Sequence, residues 1–317
     1  MKTGLFSPKS RILTGAAIWL IWMAYHRPHP LEPMWASGLL LLAMFVVVPL
    51  CLDLLAHNAL VPSTLYGFLV KCLLPAAFAA AFAFSLPAGW ISAILVLPWF
   101  LVTLVLAQCG LKALTKGAWK QGDKFCFSLG MVYLAVAGLW AVLERAGARP
   151  LGYSPEIVFL TIVHFHYAGF VLPVATGLAI HRTGQKNFRF LGYAVVGGVA
   201  LVAAGIVLSQ LGYGPDWEGA SAWWMALSAT FAGALHLYLA IFKEKMLKVR
   251  LLWVASGACL LGGMLLAGLY GTRYLAPVEG LDIPTMRAVH GTLNAMGFGL
   301  FAIWGWWLQS GLETRHQ

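Results

Sequence analysis

Long apolar stretches, separated by short polar ones, follow one another along almost the whole chain. A helix of about twenty apolar residues is long enough to cross the hydrocarbon core of a bilayer. The pattern predicts an all-α, polytopic membrane bundle of about ten transmembrane helices: Ile12–Tyr25, Met34–Leu55, Gly67–Leu86, Gly89–Leu111, Phe125–Val142, Ile157–Ile180, Phe190–Leu208, Trp223–Phe242, Leu251–Tyr270 and Met286–Leu308.

Two boundaries in this series decide how many helices are counted. Only Leu86-Pro87-Ala88 separates the third helix from the fourth, so nine helices is the main alternative. Basic residues precede the first stretch as in a signal peptide, but no small-x-small cleavage site follows it, so we expect a retained helix. The loops are too short to fold alone, which predicts a single transmembrane domain over residues 1–317 with no separate soluble domain.

Composition supports the membrane class and excludes a soluble one. Hydrophobic residues make up 61% of the chain and charged residues 10%, and the mean hydropathy is +0.81. Soluble proteins average roughly 45–50% and 25% for the same two classes. The net charge of +10 comes from basic residues in short loops, which is typical of membrane topology, so we expect the lipid bilayer as partner and no nucleic acid.

The distribution of Lys and Arg predicts the orientation, because cytoplasmic loops are enriched in both. With the N-terminus inside, five basic residues lie outside: Arg27, Arg145, Arg149, Arg273 and Arg287. Fifteen lie inside: Lys2, Lys9, Arg11, Lys112, Lys116, Lys120, Lys124, Arg182, Lys186, Arg189, Lys243, Lys245, Lys248, Arg250 and Arg315. This asymmetry predicts that both termini are cytoplasmic.

Charged side chains inside the predicted helices need an explanation, since insertion costs roughly 2.5–3.5 kcal/mol each. Asp53 and Lys71 lie near the cytoplasmic ends of the second and third helices. We expect them to form a structural ion pair, with snorkelling to the interface as the alternative.

Histidines occupy the sixth helix, in the segment His164-Phe165-His166-Tyr167. Residues two apart on a helix are about 200° apart in rotation, so His164 and His166 face different neighbours and do not chelate one metal together. Thr161 and Tyr167 share the face of His164. Pro173 lacks an N–H and leaves a carbonyl of the preceding turn free, which predicts a kink just below the histidines.

The last helix carries a narrow polar stripe, and its histidine lies at a depth similar to that of the histidines on the sixth helix. Arg287, His290, Asn294 and Gly297 fall within about 80° of one another. At 1.5 Å per residue, His164 and His166 lie roughly 12–15 Å from the outer helix ends and His290 roughly 9 Å. These three histidines therefore share an outer layer, whereas His236 on the eighth helix, roughly 22 Å deep, belongs to another.

Two motifs carry a family resemblance. HFHYAGF (His164–Phe170) and HGTLNAMGF (His290–Phe298) resemble the paired motifs of the YndJ-like bacterial membrane proteins. The resemblance implies a multi-pass protein of the bacterial cytoplasmic membrane without an established reaction, to which a transporter label is sometimes attached. HFHY is also similar to a segment of the haem–copper oxidase catalytic subunit, where the two histidines bind two haems. The adjacent His-His pair and the His-Pro-Glu-Val-Tyr segment of that subunit are missing, so we do not expect oxygen reduction.

Several hypotheses remain for these residues. Neutral imidazole is a good ligand for haem iron, copper or zinc, so His164, His166 and His290 are candidate cofactor or metal ligands. Alternatively, the histidines are structural, or the polar residues line the path of an ion, proton or small molecule in a transporter. An enzyme is less expected, since HExxH and a multi-His carboxylate set are absent from the sequence. The oligomeric state stays open. The residues expected to line the site are Thr161, Tyr167, His236, Arg287 and Asn294.

Overall fold

The structure is a computed structural model that describes residues 7–312, and all regular elements within that range are helical. Lys2 and Arg315, which contribute to the predicted charge asymmetry, lie outside the described residues. The predicted all-α class with ten helices is confirmed by ten helical rods: α1 Pro8–His26, α2 Pro33–His57, α3 Ser63–Ser85, α4 Trp90–Thr115, α5 Gly122–Arg145, α6 Pro155–Thr183, α7 Arg189–Gln210, α8 Asp216–Phe242, α9 Leu247–Gly271 and α10 283–309.

Within the described part of the chain, eight of these rods, α2 to α9, are long and apolar enough to cross a membrane. The first and last rods are more polar. Even so, α1 runs antiparallel along α2: Gly15 abuts the Phe45 carbonyl, and the Trp19 indole N–H donates to the Gly38 carbonyl at 2.8 Å. A short turn before Trp90 separates α3 from α4, so the nine-helix alternative is wrong.

The second helix is the central rod of the bundle. In its apolar window, 94% of the residues are buried, a larger share than in any other spanning rod of the described chain. Hydrogen bonds join it to two other rods: the Tyr167 hydroxyl of α6 donates to the Leu39 carbonyl at 2.8 Å, and the Trp35 indole of α2 itself donates to the Thr292 hydroxyl of α10 at 2.9 Å. Helices α6 and α10, which carry the two motifs, are therefore fixed against the same central helix.

Three rods contain π-helical turns where they meet at the centre of the bundle. These lie in α2 at Ala43–Val47, in α6 at Phe165–Val171, and in α10 at Met286–His290 and Leu293–Leu300. In α2 and α6 the π segment ends just before Pro49 and Pro173, which have no N–H to continue the normal bonding. In α6, a π segment thus precedes Pro173, the residue at which the sequence predicts a kink. Such segments occur frequently at functional sites.

At the end of the bundle predicted to be cytoplasmic, a buried polar cluster corrects the predicted ion pair of Asp53 with Lys71. Asp53 pairs instead with Arg11 of α1, and it also accepts from the Tyr66 hydroxyl at 2.9 Å and the Trp307 indole at 3.2 Å. The antiparallel packing of α1 on α2 brings Arg11 to the level of Asp53. Lys71 is exposed on the outer face of α3 and takes no part in this cluster.

Candidate functional site

The structure brings together one histidine from each motif. The rings of His164 on α6 and His290 on α10 have centroids 6.4 Å apart and planes inclined by 26°. His164 is exposed and His290 is half-buried, so the pair lies at an accessible edge of the bundle. We refer to His164 and His290 as the histidine pair.

Hydrogen bonds determine which nitrogen of each ring is available. Nδ1 of His164 lies 2.8 Å from the Leu160 carbonyl, and Nδ1 of His290 lies 2.8 Å from the Gly263 carbonyl of α9. A carbonyl only accepts, so these two contacts place the proton of each neutral ring on Nδ1. Nδ2 of Asn294 also lies 3.1 Å from Nδ1 of His290, but it is a donor, and with this tautomer it donates to the His290 carbonyl instead. The Nε2 lone pairs of both rings are left without a partner among the described residues, and both are therefore available to a ligand.

A glycine allows α9 to approach the histidine pair this closely. A Cβ placed on Gly263 would lie 2.5 Å from Nδ2 of Asn294, closer than real Cβ contacts. Asn294 donates through Nδ2 to the His290 carbonyl at 2.8 Å, which fixes its amide beside the ring. Its Oδ1 is buried without a hydrogen-bond partner among residues 7–312, so one further acceptor lies next to the pair.

The other histidine of the sixth helix has a different environment. His166 is fully buried, its Nδ1 lies 2.8 Å from the Ile162 carbonyl, and its Nε2 accepts from the Trp99 indole at 3.2 Å. Both ring nitrogens are therefore occupied, and His166 faces α4 while His164 faces α10. This is the separation that the 200° rotation predicts.

A second buried histidine repeats this arrangement at another level. His236 on α8 has Nδ1 2.9 Å from the Ala232 carbonyl, and its Nε2 accepts from the Trp306 indole of α10 at 3.2 Å. Its ring also packs edge-on against Phe298. Like His166, His236 has no free nitrogen, and the structure does not bring either of them to the histidine pair.

The remaining residues predicted to line the site take other positions. Arg287 is buried and donates to the Glu156 carboxylate and to the Leu31 carbonyl, so it joins the outer ends of α6 and α10 to the loop before α2. Thr161 donates to a carbonyl of its own helix at 2.8 Å, and Tyr167 is bound to α2. Of the predicted polar stripe on α10, His290 and Asn294 lie next to each other, whereas Arg287 is bonded to Glu156 and Leu31.

The histidine pair would supply two ligands to a metal, and no more. Among the described residues, no group of three or more His, Cys, Asp or Glu side chains is placed to hold one ion. The five cysteines are free thiols. Sequence reasoning missed Gly263 as the acceptor for His290, because a main-chain carbonyl on a distant helix leaves no signal in the sequence.

Comparison with known proteins finds one protein family and one relative that resemble this chain. The sequence profile of the family described as YndJ-like protein matches residues 38–298. The uncharacterized membrane protein YndJ of Bacillus subtilis (strain 168) is 26% identical over 278 residues, which is 86% of this chain and 48% of the relative. The chain thus spans about half the length of the curated relative that it matches. No solved structure matches the chain.

Proposed function

The chain belongs to the YndJ-like family of integral membrane proteins, and from that premise we propose that the histidine pair binds one transition metal, as a free ion or as the iron of a haem. The metal would lie between His164 and His290, in the half of the bilayer predicted to face outward. Imidazole nitrogen suits copper, zinc and iron alike.

The observation that carries this proposal is the ring separation. For two imidazoles on opposite sides of one metal, bonds of about 2.0–2.1 Å and about 1.1 Å from each Nε2 to its ring centre place the centroids about 6.3 Å apart. The histidine pair has 6.4 Å. A tetrahedral arrangement would bring the rings closer, so His164 and His290 would hold the metal between their two Nε2 atoms and supply neutral imidazole ligands to it.

The position of the proton on both rings also supports metal binding. Histidine ligands to metals almost always donate their other ring N–H to a carbonyl or carboxylate, which fixes the tautomer and the ring orientation. His164 and His290 both have this partner, in the carbonyls of Leu160 and Gly263. Because the protein supplies two ligands, the other coordination positions would be filled by a porphyrin or by small exogenous ligands.

A transport path is the alternative function, and the two unbonded Nε2 atoms favour it. Each ring keeps an Nε2 without a partner among the described residues, so a proton or ion could bind there as it passes. In this hypothesis the two Nε2 atoms bind the moving cation briefly and do not hold a resident metal.

Absorbance and elemental analysis of the full chain purified in detergent test the proposal. We expect one equivalent of metal per chain, with a Soret band if the metal is haem iron and without one if it is free copper or zinc. His164→Ala and His290→Ala should each lose the metal. His29→Ala, which removes an exposed loop histidine, is the matched control and should keep it.

Two results would overturn the metal site. One is a metal-free, colourless protein that takes up no copper, zinc or haem when these are added. The other is equal metal loss in the His29→Ala control. If the metal-free protein also carries out proton-coupled uptake in proteoliposomes, and His164→Ala abolishes that uptake, the histidine pair serves transport.

A further inference from the structure

An apolar groove runs between α9 and α10 at the face predicted to be cytoplasmic. It has a volume of about 330 Å³ and is open along one side. We call it the α9–α10 groove, and its walls are Leu251, Leu252, Ala255, Phe301, Trp304 and Leu308, with Lys248 at its mouth. An occupant must therefore be apolar along most of its length and carry a group at one end that suits a lysine.

Among the described residues, the segment that leads into α9 carries an excess of positive charge next to the mouth. Residues 243–250 contain one acid, Glu244, which is buried; it accepts from the main-chain N–H groups of Lys245 and Met246 at 2.8 Å each and lies 3.7 Å from Arg182. Its charge is thus directed into the protein. Four exposed cations remain at the surface: Lys243, Lys245, Lys248 and Arg250.

If α9 crosses the bilayer along its length, its first turn and the mouth of the groove are expected where a lipid headgroup meets its acyl chains. Lys248 is in the first turn of α9, which begins at Leu247, and the apolar walls continue from there into the bundle. Trp304 is 44% exposed on the open side of the groove. Trp at this level is typical of a membrane–water interface, and the lysine stem can lie along apolar surface with its ammonium in the headgroup layer.

We propose that the α9–α10 groove binds an anionic phospholipid, with one acyl chain along the apolar walls and the phosphate paired with Lys248. Charge complementarity selects this occupant, because basic pockets between transmembrane helices on the cytoplasmic side bind acidic headgroups. A zwitterionic lipid fits the apolar walls equally well, but its headgroup has no net charge and is attracted less strongly by the exposed cations. This site is independent of the histidine pair.

Native mass spectrometry of the full chain tests the proposal in micelles that contain equal amounts of phosphatidylglycerol and phosphatidylcholine. We expect one retained lipid per chain, predominantly phosphatidylglycerol. Lys248→Ala should reduce the preference about fivefold, the factor that corresponds to about 1 kcal/mol for one basic residue near the headgroups. Ala255→Trp, which fills the groove, should remove the retained lipid of both types.

Lys71→Ala provides the matched control, since Lys71 is an exposed lysine on α3, away from the groove. It should leave the retained lipid and its headgroup preference unchanged, and thermal unfolding should show that all variants fold. Equal retention of the two lipids overturns the proposal, and so does an equal loss of preference in Lys71→Ala. A lipid-free dimer would show that a second copy covers the groove.

Discussion

Replacing Asp53 with asparagine should lower the free energy of unfolding by about 3–5 kcal/mol, the cost of leaving one member of a buried ion pair unpaired. The Asp53 and Arg11 side chains are 1% and 2% exposed, so water cannot replace the lost partner. Asparagine keeps the shape of the side chain and one oxygen that can accept from Tyr66. The loss therefore comes mainly from the uncompensated guanidinium of Arg11, since a hydrogen bond contributes only about 1 kcal/mol net.

The measurement is the free energy of unfolding in mixed micelles, titrated with a denaturing detergent. Arg11→Met should cost a similar amount, because it leaves the carboxylate unpaired. The double variant Arg11→Met/Asp53→Leu should recover most of the loss, since a buried ion pair replaced by apolar residues is often neutral. Lys71→Met should stay within about 0.5 kcal/mol of the parent chain, as expected for an exposed site.

Two results would refute this reasoning. If Asp53→Asn costs less than about 1 kcal/mol, the pair with Arg11 does not hold α1 against α2. If Lys71→Met costs as much as Asp53→Asn, Lys71 is the partner of the carboxylate after all. The comparison of these variants therefore shows whether Arg11 or Lys71 is the partner of Asp53.

Three further predictions follow from single contacts. Trp99→Phe leaves Nε2 of buried His166 without its donor and should lower the free energy of unfolding by about 1–3 kcal/mol. Gly15→Ala should destabilise the packing of α1 on α2 by about 1–3 kcal/mol in the same titration, because its Cβ would overlap the main-chain oxygen of Phe45. The main-chain N–H of Thr285 donates to Asp282 and holds the pKa of that carboxyl below its usual range. Because a lowered pKa stabilises the fold at higher pH, the Tm advantage of the parent chain over Asp282→Ala should be full above about pH 5 and disappear as the pH falls through the folded pKa.

The helices of this protein were predictable because their signal is local. Each rod is a single apolar stretch, and all ten predicted stretches overlap the observed rods. Even the turn between α3 and α4 was marked by Pro87. Partners across the bundle were harder to predict, because which faces of two distant rods meet is decided by packing. Asp53 was assigned to Lys71 on the next helix, whereas the antiparallel packing of α1 brought Arg11 instead.

The histidines illustrate the same limit. Rotation and depth predicted that His164 and His166 face different neighbours and that His290 lies at a similar level. Neither predicts which rings are already bonded. Trp99 lies 67 positions from His166 and Trp306 lies 70 from His236, so nothing in the local sequence indicates that these indoles occupy the Nε2 atoms. The tautomer of His290 likewise depends on the Gly263 carbonyl of another helix.

The π segment of α6 lies between His164 and the inner half of the same helix, and this position constrains how the family can change in length. A π turn holds one residue more than an α turn, so deleting one residue there would restore regular winding and leave each half intact. The π turn accommodates its extra residue within one full rotation, so both halves would keep their faces and His164 would stay beside His290. A deletion in a regular α part of the helix would instead turn the two halves by about 100° relative to each other and separate the rings. A relative that is one residue shorter between its HFHY motif and the following proline should therefore keep its paired rings and lack the π segment.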